Sequence, residues 1–227
     1  MITVVCFLWK NQRPGAKPGF VGYGTQHVNT LRSMLSRHLH TEHRLVCVTD
    51  TPDGIHQDVD VVPLDPALSG DGERGVARFP KLMLWRADAS QLFGGNRLLY
   101  MDLDVVLVDD VTPLVTRGET LVFTEHTMRR GGRYATPMVL LDAGVAPWIY
   151  DLYLEHPDPL SVATGDQAWV ARNLPTGLPV WGEQDGVVMF NKIRDREGPP
   201  EGSRVVLFSA NKDPSTRWEP WIKEAWR

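Results

Sequence analysis

Two carboxylates interrupt one of the most apolar stretches of the chain, the run Leu98-Leu99-Tyr100-Met101-Asp102-Leu103-Asp104-Val105-Val106-Leu107. Removing an unpaired carboxylate from water is costly, so two of them two residues apart at the end of a buried strand call for an opposite charge. Oxygen ligands of this kind suit a hard divalent cation, Mn2+ or Mg2+, rather than zinc. A cation held there would bridge to phosphate oxygens and neutralise charge as a bond to a diphosphate breaks. An Asp-x-Asp by itself is also what a solvated acidic turn looks like; the apolar strand leading into it favours the cation.

Such a pair needs a frame, and the hydrophobic pattern supplies one. The run Ile2 to Leu8 reads as a buried strand, followed by a glycine- and proline-rich loop from Lys10 to Gly24 that is a candidate lid. Between Gln26 and Leu39, Val28, Leu31, Met34, Leu35 and Leu39 recur at helical spacing. Strands are expected at Leu45 to Val48, Val59 to Val62 and Arg97 to Met101, with a helix over Ala77 to Ala89 interrupted by Pro80. Beyond the acidic pair, strands are expected at Leu121 to Thr124, Met138 to Leu141 and Arg204 to Phe208. Helices are expected at Pro147 to Glu155 and Asp166 to Arg172, and in the tryptophan-rich C-terminal segment. This alternation implies an α/β domain with a mostly parallel sheet flanked by helices, and open sheets of that kind bind ligands at the carboxyl ends of their strands.

Composition narrows the partners. With 24 basic and 28 acidic residues the net charge is -4, which disfavours a nucleic acid. Cys6 and Cys47 lie in apolar runs and read as buried thiols, which fits a cytoplasmic setting. No apolar run reaches membrane length, so any membrane contact is expected to be peripheral, through Trp218, Trp221 and Trp226. Packing of a terminal helix onto the body is the commoner use of such tryptophans.

Taken in order, several segments resemble the GT-A glycosyltransferases, in particular the glycogenin and bacterial lipooligosaccharide galactosyltransferase group. They are Val4-Val5-Cys6-Phe7-Leu8-Trp9, His27-Val28-Asn29-Thr30-Leu31, Cys47-Val48-Thr49-Asp50, Arg78-Phe79-Pro80-Lys81-Leu82, the Asp-x-Asp strand and Gly165-Asp166-Gln167-Ala168-Trp169. The resemblance spans nearly the whole chain, though each motif is short. It implies a single Rossmann-like GT-A domain, with residues 1–104 as the nucleotide-binding half and 105–227 as the acceptor half. It also implies a nucleotide diphosphate sugar as donor, with uridine as base, and retention of anomeric configuration. Leu8, Trp9, Asp50 and Arg78 would hold the nucleotide, Asp102 ribose and metal, Asp104 the metal, and Lys81 and Lys212 the diphosphate. Asp166 and Gln167 would lie beside donor sugar and acceptor, although Asp166 is also where an N-cap would fall. Thr136 stands where the family shows an Asn-Ser-Gly turn and would face the sugar.

One segment departs from the family. Phe208-Ser209-Ala210-Asn211-Lys212-Asp213-Pro214 is similar to Phe-His-Gly-x-x-Lys-Pro, but Ser209 replaces the metal-binding histidine, Ala210 the glycine, and Asp213 separates Lys212 from Pro214. The third metal ligand would then be an oxygen, from Ser209, Asn211 or water; His126 is a less favoured substitute. The acceptor, whether glycan, lipid-linked or protein, is not legible.

Three other readings compete. The Asp-x-Asp strand also resembles the nucleophile strand of haloacid dehalogenase-like phosphatases, but Gly70-Asp71-Gly72 lies upstream of it, where that family needs an acidic turn downstream. A nucleotidyltransferase would want a better glycine-rich loop after the first strand than Pro14 to Gly24. The missing histidine also permits a non-catalytic nucleotide-sugar binder.

Overall fold

The computed structural model describes residues 1–9, 22–69, 79–125, 134–156, 165–194, 196–208 and 213–227. In chain order the elements that matter are β1 (Ile2–Leu8), α1 (Thr25–His38), β2 (His43–Thr49), β3 (Val59–Val62), α2 (Pro66–Ser69), a 3-10 segment (Phe79–Trp85) and α3 (Ala89–Phe93). After these come β4 (Arg97–Met101), β5 (Val105–Leu107), α4 (Thr112–Val115), β6 (Leu121–Thr124), β7 (Ala135–Asp142), α5 (Trp148–Glu155) and α6 (Asp166–Arg172). The chain ends with β8 (Val180–Trp181), β9 (Val187–Met189), α7 (Phe190–Ile193), β10 (Val205–Leu207) and α8 (Pro220–Ala225).

The main sheet runs β3-β2-β1-β4-β7-β6-β8. Four of its pairings are parallel and two, on either side of β7, antiparallel. This is the mostly parallel α/β sheet expected from the sequence. Because β1 is covered on both faces, its side chains divide by parity. Val4, Cys6 and Leu8 join Val28, Leu31, Met34 and Leu35 of α1 in one core layer. Val5 and Phe7 meet Phe79, Leu82, Met83 and Trp85 in the other. Leu31 is fully buried, and removing such a side chain from water stabilises the fold by about 1.5–3 kcal/mol.

The expected helix over Ala77 to Ala89 is corrected. Residues 77 and 78 lie outside the described residues, Phe79–Trp85 winds as a 3-10 segment, and α3 begins only at Ala89. Pro80 supplies no amide hydrogen for an α-helical ladder. Six of the seven residues are buried, which suits a tight three-residue turn wedged into the core better than an amphipathic helix. Lys81 is the remaining one.

The continuous apolar run around the acidic pair conceals a change of sheet. β4 ends at Met101, and the Val105 amide closes a turn on the Asp102 carbonyl at 3.3 Å. β5 then leaves the main sheet to pair antiparallel with β10, which pairs in parallel with β9. The Asp102 amide donates to the Pro137 carbonyl at 2.8 Å, tying the turn back to β7. Asp102 and Asp104 therefore sit at the joint between a seven-stranded and a three-stranded sheet. Among the described residues no helix is long and apolar enough to cross a membrane.

Candidate active site

In the parallel register Leu8 lies beside Thr49, and Val5 beside Tyr100. The carboxyl ends of β1, β2 and β4 thus open onto one edge, which brings Leu8, Trp9, Asp50, Asp102 and Asp104 to the same side of the sheet. Leu8 is buried and Asp50 exposed. The Trp9 indole Nε1–H is buried with no hydrogen-bond acceptor among the described residues. A buried donor without a partner is uncommon and costs about 1–3 kcal/mol, so this edge offers an unused donor to a ligand.

The acidic pair is held from several sides. Lys81 Nζ donates to Asp102 Oδ1 at 2.5 Å, and the Tyr100 hydroxyl donates to the same oxygen. Both donors sit on Oδ1, so Asp102 Oδ2 accepts no side-chain hydrogen bond among the described residues. Tyr23 OH donates to Asp104 Oδ2 at 2.9 Å. Burial, reinforced by the neighbouring Asp102 charge, pushes the Asp104 carboxyl up from 3.8 to about 7, against the opposing help of Tyr23 and Lys81. Burial would lower the Lys81 ammonium, but Asp102, Asp166 and Asp104 outweigh it and keep the group charged. Burial first, then Asp104, keeps the Tyr23 phenol protonated as a donor; burial and Asp102 do the same for Tyr100.

Asp166 joins this cluster from α6. The N-cap position is taken by Gly165, whose φ of 90° and ψ of 177° suit glycine. Asp166 is therefore the first helical residue rather than the cap, and its Oδ2 lies 4.0 Å from Lys81 Nζ. Trp169 Nε1 donates to the Ile149 carbonyl at 2.8 Å and pins α6 against α5. Gln167 is half-buried on the same first turn. Thr136, also half-buried, neighbours Pro137, the residue whose carbonyl receives the Asp102 amide.

Among the described residues the Lys81 ammonium stands within ion-pair distance of Asp102 and Asp166, and its charge is felt by Asp104 as well. A carboxyl raised to about 7 beside a second carboxylate, in an all-oxygen donor set, fits a hard divalent cation. Among the described residues no three His, Cys, Asp or Glu side chains form a ready-made cation cage. Asp102 and Asp104 supply two carboxylates, and the ligand expected at Ser209 lies outside the described residues. So do Arg78, Lys212, Asn211, His126 and most of the Lys10 to Gly24 loop.

The sequence reading missed Tyr23, Tyr100 and the His27–Asp213 pair. Tyr100 stands two residues before Asp102, which follows β4 directly; that spacing in an extended run puts both side chains on one face and could have flagged it. Tyr23 and Asp213 reach the site from remote parts of the chain, and no local pattern announces them.

No family model matches the chain, and no curated protein sequence does. Solved structures do share its fold. An active-site mutant of LgtC superposes with a TM-score of 0.65 at 11% identity, over 98% of this chain and 94% of that one. The galactosyltransferase LgtC in complex with donor and acceptor sugar analogs gives 0.52 at 13% identity, over 99% and 91%. The glycosyltransferase GlyE of Streptococcus pneumoniae TIGR4 gives 0.63 at 13% identity, over 100% of this chain and 60% of that one. The chain therefore spans about three fifths of GlyE. At these identities the likeness is one of fold, and the fold is the GT-A type expected from the sequence.

Proposed function

We propose that a chain with the fold of LgtC and GlyE, and with Asp102 and Asp104 closing its central strand, is a metal-assisted glycosyltransferase. Its donor is a nucleotide diphosphate sugar, with uridine as the base that family resemblance favours. The observation that carries this reading is the preorganised acidic turn: Asp102 is fixed by Lys81 and Tyr100, and Asp104 by Tyr23.

In this reading the nucleotide lies across the carboxyl ends of β1 and β2, against Leu8, Trp9 and Asp50; the resemblance adds Arg78, which lies outside the described residues. The Trp9 indole N–H, buried with no acceptor among the described residues, gives that edge a donor for a carbonyl or hydroxyl oxygen. Asp102 and Asp104 would hold Mn2+ or Mg2+ there, and a bound divalent cation supplies charge neutralisation for a departing diphosphate. Lys81 bridges Asp102 and Asp166, which fixes the distance between the cation side of the site and the side where the sugar would sit. Lys81 is engaged on Asp102; Lys212, outside the described residues, is the further cation that the resemblance assigns to the diphosphate.

Asp166 and Gln167, together with Thr136 on β7, line the sugar side. Retention of configuration is the outcome the resemblance favours. An inverting reaction would instead need a carboxylate to take the proton of the acceptor hydroxyl, and Asp166 is the residue placed for it. The two free, buried cysteines suit a reducing compartment.

The test has two steps. A melting-temperature screen of nucleotide sugars with and without Mn2+ identifies the donor, because a ligand that binds only the folded state raises its stability. Turnover of that donor is then compared with Asp104→Ala, which is expected to lose transfer while melting cooperatively. Near-normal transfer by that variant would refute the assignment, and binding without any turnover in the parent chain would leave a nucleotide-sugar binder.

A further inference from the structure

We propose that Tyr23 is a positioning residue for a divalent cation: its hydroxyl fixes the Asp104 carboxylate, and its ring is braced by buried His27, itself held by Asp213. The inference rests on the cation-assisted reading above.

Tyr23 and Asp104 are 81 positions apart, yet the phenol donates to Asp104 Oδ2 at 2.9 Å. A carboxylate held through one oxygen presents the other in a fixed direction, as groups around a metal site do for its ligands. The phenol is itself immobilised. The His27 ring packs edge-on against it, with centroids 5.0 Å apart and planes at 69°.

His27 is almost fully buried, and both its nitrogens are engaged. Nδ1 accepts the Gly24 amide at 3.0 Å, so the ring proton is on Nε2, which donates to both oxygens of Asp213 at 3.2 Å. Asp213 in turn accepts the Ser215 amide at 2.8 Å. Trp226 lies on the ring as well, at 5.9 Å between centroids. An imidazole with both nitrogens committed in this way acts as a brace, not as a ligand or a proton carrier. It joins the start of α1 to the C-terminal segment and transmits that order to Asp104 through the phenol.

The experiment measures Mn2+ binding to the intact chain without nucleotide, by isothermal titration and by loss of the free Mn2+ paramagnetic resonance signal. Tyr23→Phe keeps the ring and removes the hydroxyl; it is expected to weaken Mn2+ binding roughly tenfold or more. The melting temperature of the metal-free protein should move by no more than about 5 °C. A residue that merely packed would shift melting and leave Mn2+ affinity alone. His27→Gln removes the ring under the phenol, with an expected loss of roughly two- to fivefold, smaller than that of direct removal of the donor.

Parental Mn2+ affinity in Tyr23→Phe would overturn the positioning role and leave the cation reading standing. A parent chain that binds no Mn2+ would remove both. If Tyr23→Phe does not fold, His27→Gln decides: weakened binding supports the role and unchanged binding overturns it.

Discussion

The raised Asp104 carboxyl makes the metal-free protein pay attention to pH in a calculable way. Its acid form is favoured in the fold up to about 7, against 3.8 for an unperturbed side chain. A group whose proton is held more tightly in the folded state contributes stability that is complete below 3.8 and is lost as pH rises through about 7. Between pH 5 and pH 8 the expected loss from this one group is about 2–3 kcal/mol. For a chain of 227 residues that corresponds to about 5–10 °C in melting temperature. Asp104→Asn removes the charge and keeps an oxygen that can accept the Tyr23 hydroxyl. Melting of parent and variant is followed by circular dichroism from pH 5 to pH 8, with chelator and again with excess Mn2+. With chelator the variant should melt close to the parent at pH 5 and roughly 5–10 °C above it at pH 8. Mn2+ at about 100 times its dissociation constant should return about 2.7 kcal/mol to the parent and little to the variant. If the two proteins melt alike at pH 8 under chelator, Asp104 is not the strained carboxylate described above.

Two further variants test how the site is built. Lys81→Met takes away the ammonium between Asp102 and Asp166. Because those groups are partly exposed, the expected cost in metal-free protein is about 1–3 kcal/mol by urea unfolding, below that of a fully buried pair; an unchanged midpoint would argue that the pair is solvated. Gly165→Ala forces a side chain into a conformation with φ of 90° and ψ of 177°. It should cost about 1–3 kcal/mol in urea unfolding, and a cost below about 0.5 kcal/mol would mean that α6 can start another way.

Much of the frame was legible because the strands buried on both faces are continuous apolar runs and α1 carries a clear helical stripe. The Asp102–Asp104 turn was legible for a related reason: charge inside such a run has to be explained by a partner. The 3-10 segment was not, since a stretch buried on nearly every side has no amphipathic period to distinguish one winding from another. β5, β8 and β9 are two or three residues long, too short to impose a pattern of their own. The switch of sheet after Asp104 was hidden for the opposite reason, because β4 and β5 are equally apolar and only long-range pairing separates them. Tyr23 and His27–Asp213 show the remaining limit. Their roles arise from contacts across 81 and 186 positions, and a local pattern carries no information about such distances.

The acidic turn belongs to two sheets at once. Its amide is tied to β7, and the strand that leaves it is laddered to β10. To slide the carboxylates along the site, ladders on both sides would have to break together, so their spacing inherits the stiffness of the whole scaffold rather than that of a loop. An engineer seeking a new ligand specificity should leave that rigid corner untouched.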